Sequence, residues 1–168
     1  MWNLEKYKEF EECIKDLIAC PQVQAMDQFR QHAQGVSCLD HCIYVSYISF
    51  SICKKMKLDY RAAARGALLH DMHLQDWEQN NQAWKKLFIH PKYALKNAEK
   101  FQLTDMEKDI IEKHMWPMTF RKMPRYRESF IVSTADKICA CAEVLHIYRL
   151  TRADVKLVSL NKRRAFNS

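Results

Sequence analysis

Along residues 3–20, charged residues alternate with Leu4, Tyr7, Phe10, Cys13, Ile14, Leu17 and Ile18 at helical spacing, and the run stops at Pro21. A short second helix is predicted over 23–33, ended by Gly35. Ser37 is placed to cap a long third helix through Met56, whose stripe His41, Val45, Ile48 and Ile52 reads as its core face. Asp59 caps a fourth, from Tyr60 to about Met72, with Ala62, Ala63 and Ala64 as strong helix formers. Residues 73–89 show no clean period and read as a loop. Pro91 suits the first position of a fifth helix over 91–102. Thr104-Asp-Met-Glu107 is a capping box opening a sixth, to about Met115. Pro117 and Pro124 bound an expected extended connector. A seventh helix is predicted from Arg127 to Leu150, and an eighth, capped by Thr151, over 151–165. The expectation is an all-α, globular multi-helix bundle of seven to eight helices, one domain spanning 1–168 with its core over about 30–150.

Glycine usage sharpens this. Only 2 of 168 residues are glycine, where an average of ~7% would supply about twelve. That excludes a phosphate-binding Gly-rich loop, a dinucleotide fingerprint and a set of tight hairpins. Charge changes less. The net +7 arises from 27 basic and 20 acidic residues that interleave, and only Asn161-Lys162-Arg163-Arg164 forms a basic cluster. Nucleic acid is therefore not expected as the main partner. Seven scattered cysteines without a C-x-x-C pair, after a first stretch charged throughout, fit free thiols in a reduced cytoplasm. The longest uncharged apolar stretch, Cys42 to Cys53, falls short of the ~20 residues of a bilayer span, so no membrane partner is expected.

Histidines carry the candidate chemistry. His41 opens the apolar stripe of its helix. His70 and Asp71 end a helix after Ala64, Ala67 and Leu68. His114 follows Ile110 and Ile111, and Asp136 lies among Val132, Ser133, Cys139 and Ala140. A carboxylate on such a face loses water and needs a compensating partner. No arginine stands at core spacing to supply it, whereas a metal would satisfy Asp71 and Asp136 together.

The segments HCIYVS (41–46), ARGALLHDMHLQDW (64–77), HPKYALKNAE (90–99), DIIEKHMWP (109–117) and IVSTADKICACAE (131–143) carry an ordered series, His41, His70-Asp71, His90, His114 and Asp136. The series resembles the HD-domain metal-dependent phosphohydrolase superfamily. The resemblance implies that His41, His70, Asp71 and Asp136 hold one metal ion. It also implies that His90 and His114 complete a second, as in the dinuclear branch, with Asp71 bridging the pair. There is no GYP signature, so cyclic-di-GMP hydrolysis is not assigned.

Oxygen and nitrogen ligands without thiolate suit two divalent first-row ions, iron or manganese foremost, with zinc, cobalt and nickel compatible. Such a pair would lower the pKa of a bridging water, and the hydroxide would attack a phosphate ester or anhydride. The expected substrate is a small phosphorylated molecule, a nucleotide by preference.

Asp71 and Lys137 are the candidate catalytic residues, Lys137 to neutralise phosphate charge. Lys113, His32 and Arg125 are candidate substrate contacts, with Arg121 and Arg127 also flanking the connector. Asp76 is a candidate partner for a histidine ligand, and Trp77, Trp84 and Trp116 are candidate stacking groups, although tryptophan in a helical core is usually packing. His73 and His146 read as ordinary loop and surface residues. Ligand spacing leaves two alternatives open: a mixed-valent diiron oxygenase on the same His/Asp set, and a nucleotide-binding module without turnover. The oligomeric state is not legible in the sequence.

Overall fold

The computed structural model describes residues 4–29, 36–72 and 83–145. His32, His73, Asp76, Trp77, His146 and the expected helix over 151–165 lie outside the described residues, as does the side chain of Trp84. Seven α-helices and no strand are present among the described residues: α1 (Leu4–Ile18), α2 (Pro21–Gln24), α3 (Cys38–Lys55), α4 (Tyr60–Leu69), α5 (Ala83–Ala98), α6 (Asp105–Lys113) and α7 (Arg127–Val144). Short 3₁₀ turns follow α2 (Ala25–Gln28) and α5 (Glu99–Phe101). None of these helices is long and apolar enough to cross a membrane.

Helix starts follow from side-chain capping. Ser37 accepts from the Asp40 amide while Asp40 reaches back to Ser37, and Thr104 and Glu107 do the same for α6. Asp59 caps α4 through the Ala62 amide. Each satisfies donors that a helix start leaves unpaired.

α4 is the centre of the bundle. Ala62, Ala63, Ala64, Gly66, Ala67, Leu68 and Leu69 are all buried, so the helix is covered on nearly every side. Ala64 and Leu68 face a core built with α1, α2, α3 and α5, including Phe10, Leu17, Met26, Ile43 and Phe50. Ala63 and Ala67 face a second core with Val45, Ile110, Val132 and Ala135 from α3, α6 and α7. Small side chains let these neighbours approach closely. At Gly66 an added Cβ would stand 2.8 Å from Ile110 Cγ2, so α6 crosses where α4 has no side chain. Arg65 ties the outer side, donating to Glu107 (2.9 Å), to Asp16 (2.6 Å) and to the Cys13 carbonyl (3.1 Å). The C-terminus of α4 thus falls deep among α3, α5, α6 and α7, which is where His70 and Asp71 lie.

Four expectations change. The second helix is brief, giving way to a 3₁₀ turn by Ala25. The stripe of α3 holds at His41, Val45 and Ile48 but ends before Ile52, which is 39% exposed, and a second inward face is made by Cys38, Leu39, Cys42 and Ile43. α5 begins at Ala83, inside the expected loop, so Pro91 sits within the helix and not at its start. Proline there removes one backbone hydrogen bond, but its ring is buried, and packing offsets part of that loss. The connector is not extended: residues 114–121 form turns closed by Trp116 N–H to Lys113 O (3.0 Å), Thr119 N–H to Met115 O (3.3 Å) and Lys122 N–H to Thr119 O (2.8 Å). The Ser133 hydroxyl of α7 meets the His114 carbonyl at 2.7 Å and the Trp116 carbonyl at 2.5 Å, satisfying groups that an extended chain would have shown to water.

Gly66→Val places methyl groups against Ile110 and should destabilise the fold by about 1–3 kcal/mol. Urea unfolding reads this as a lowered midpoint; an unchanged midpoint would show that α4 and α6 are not in such close contact.

Candidate metal centre

Five elements deliver six side chains to one place. α3 brings His41, the end of α4 brings His70 and Asp71, α5 brings His90, the end of α6 brings His114, and α7 brings Asp136. Three overlapping groups result: His41, His70 and Asp71; His70, His114 and Asp136; Asp71, His90 and His114. In each group one ligand atom per residue lies within 4.8 Å of the others.

Backbone chemistry fixes which imidazole nitrogen points inward. A carbonyl can only accept, so the His70 Nδ1–H donates to Ala67 O (2.7 Å) and the His114 Nδ1–H to Ile111 O (2.8 Å). Each leaves a Nε2 lone pair facing the cluster. On His41 the Nδ1–H donates to Glu143 Oε1 at 2.8 Å, and Nε2 stands 3.1 Å from Asp136 Oδ1. His90 Nε2 lies 2.8 Å from His114 Nε2 and 3.3 Å from Asp71 Oδ1. His70 Nε2 is buried 3.5 Å from both Asp71 Oδ2 and Asp136 Oδ1, with a hydrogen bond to neither. Lone pairs converging from separate helices, next to two carboxylates, match the donor set of a first-row cation.

Electrostatics agree. Against burial, His70, His90 and His114 hold the Asp71 carboxyl well below the usual carboxylate range. Asp136 is held low by its hydrogen bond from His41 and by the His70 and His114 imidazoles. Burial, then neighbouring His70, lowers His114 to about 3, so it stays a neutral ligand. His41 goes the other way: burial opposes its charge, but hydrogen bonds to Asp136 and Glu143 raise it to about 10.

Lys137 lies beside the cluster, 3.2 Å from Asp136 Oδ2 and 3.3 Å from Ser133 Oγ, and donates to the His114 carbonyl. Lys113 turns to Asp109 at 2.5 Å, and Asp109 also accepts from the Arg125 amide (2.9 Å) and Ser129 (2.7 Å). The Arg125 guanidinium lies 6.0 Å from the Tyr126 ring on an exposed part of the connector, and Arg121 lies 5.8 Å from Phe120. Trp116 packs edge-on to Phe130 at 5.0 Å.

Glu143 escapes the sequence reading. It lies two helical turns beyond Asp136, on the same face, and is 3% exposed; that seven-residue spacing was the available signal.

A family model described as HD domain matches residues 38–141, from the first residue of α3 nearly to the end of α7. The chain belongs to the HD-domain family. The match covers all six clustered side chains, and the family, most of whose members are hydrolases, points to metal-dependent phosphohydrolase chemistry. No curated protein and no solved structure matches the chain. α1 and α2 precede the matched HD region and share its hydrophobic core.

The proton on His41 makes metal loading pH-dependent. In the metal-free protein its raised pKa gives a stabilisation that is full below 6.5 and lost as pH rises through about 10. Ligation requires the Nε2 proton to leave, so Mn²⁺ binding at pH 7 should release about one proton, with affinity rising between pH 6 and 8. Calorimetry in two buffers of different ionisation enthalpy measures this; an identical observed heat in both would contradict it.

Proposed function

We propose that this HD domain is a hydrolase of a phosphate ester or anhydride in a small molecule, a nucleotide by preference. The residues present would hold two divalent ions, iron or manganese, with Asp71 contributing to both. The observation that carries the reading is the division of the Asp71 carboxylate. Oδ2 faces His70 at 3.5 Å, while Oδ1 faces His90 at 3.3 Å and His114 at 3.5 Å. His41, His70 and Asp136 would hold one ion with Asp71, and His90 and His114 the other. Bound there, the ions would activate water as the nucleophile and neutralise phosphoryl oxygens.

The chain's own residues orient and insulate this chemistry. Glu143, Ala67 and Ile111 fix the three Nδ1 protons, so the imidazoles of His41, His70 and His114 present Nε2 without rotating. Burial of five of the six side chains, with His90 only partly exposed, strengthens each electrostatic interaction by excluding water. Lys137, 28% exposed at its side chain, lies 3.2 Å from Asp136 and also reaches solvent. It is positioned to meet a phosphoryl oxygen and to hold Asp136 between turnovers. Lys113 is engaged by Asp109, which favours a structural role for it over the expected phosphate contact.

Protein loaded with Mn²⁺ or Fe²⁺ should release phosphate or nucleoside from a panel of nucleoside mono-, di- and triphosphates. Asp71→Ala should lose both metal and activity, and Lys137→Ala should lower kcat by about 100-fold while keeping metal. Loaded protein that releases nothing but consumes O₂ and shows a half-reduced diiron signal would overturn hydrolysis in favour of oxygenase chemistry.

A further inference from the structure

The face of α3 that carries His41 also carries two thiols. Cys38, His41 and Cys42 stand at i, i+3 and i+4, and all three are fully buried. Their target is the turn just past α4, where the helical hydrogen-bond ladder ends and carbonyls need new partners. Cys38 donates its S–H to the Asp71 carbonyl at 3.4 Å. The Cys42 sulfur lies 3.8 Å from His70 Nδ1, on the residue just before Asp71.

A carbonyl can only accept, so the Cys38 hydrogen goes to the Asp71 oxygen. The two thiols thus sit against both residues of the His70-Asp71 pair, Cys38 at the Asp71 peptide and Cys42 at the His70 ring. One residue further on, Asn97 of α5 donates to the Met72 carbonyl at 2.8 Å.

We propose that Cys38 and Cys42 are positioning residues for the metal centre, Cys38 holding the Asp71 carbonyl and Cys42 seated against the His70 ring, so that the two carboxylate oxygens of Asp71 face imidazoles on opposite sides. The thiols touch neither metal nor substrate; they act through Asp71 and His70. This rests on the metal-binding reading above, and binding of Mn²⁺ itself is the readout, independent of turnover.

Mn²⁺ titration of the full-length protein, followed by the loss of its free-ion electron paramagnetic signal, tests the idea alongside thermal unfolding of the metal-free forms. Cys38→Ala should bind Mn²⁺ about 10–100-fold more weakly. Cys38→Ser, whose hydroxyl still donates to the Asp71 carbonyl, should stay near the wild type. Both variants remove the same sulfur, so a packing role alone would weaken them alike. Should Cys38→Ala fail to fold, Cys42→Ala, which removes the thiol beside His70 Nδ1, should show the same 10–100-fold loss. Unchanged affinity in the alanine variants, or equal losses in alanine and serine, would overturn the proposal. Wild-type protein that binds no Mn²⁺ would instead overturn the metal reading on which it stands.

Discussion

A carboxylate buried at the meeting point of four helices and a helix end must be paid for by its surroundings, and the Asp71 side chain meets that demand with imidazoles on both oxygens. Removing an ion of this size from water costs several kcal/mol even after relaxation. Asp136 carries the same burden, only 10% exposed at its side chain and matched by His41, His70 and Lys137. Two acids and four imidazoles meet in one largely buried space, a polar core whose donor set a cation would fit. The rest of the bundle can be understood as the means of bringing them there.

That means is chiefly α4. A helix of alanines with a glycine at its tightest crossing lets α1, α3, α6 and α7 come close, so its C-terminal end is buried where most helix ends face water. Carbonyls just past a buried helix end need donors, and neighbouring helices supply them to Asp71 and Met72 from Cys38 and Asn97. The same holds past α6, where the His114 carbonyl is met by Ser133 and Lys137 from α7. Candidate ligands at helix ends are therefore fixed by contacts of the backbone as much as by their own side chains.

Most of the candidate cluster was legible because its members interrupt apolar stripes, a conflict visible in one dimension, while His90 was reached only through the family resemblance. His41 at the head of α3, His114 after Ile110 and Ile111, and Asp136 among small apolar neighbours all show it. The all-α class and the helix starts at Ser37, Asp59 and Thr104 were legible for a similar reason, since capping is local. What stayed hidden depends on other helices. Nothing in the order of residues says that Glu143 faces His41 across 102 positions, or that Cys38 reaches Asp71. Pro91 misled because the rule against proline inside a helix takes no account of a buried ring. The prolines of the connector suggested extension, while side chains from α7 stabilise turns. Lys113 looked free to bind phosphate until Asp109, one turn back on the same helix, took its ammonium.

Convergence on Asp71 is most directly tested by anomalous diffraction from crystals of the manganese-loaded protein. Two peaks sharing the Asp71 carboxylate are expected, one beside His41, His70 and Asp136 and the other beside His90 and His114. A single peak would reduce the centre to one ion, and manganese bound only away from Asp71 would contradict it outright.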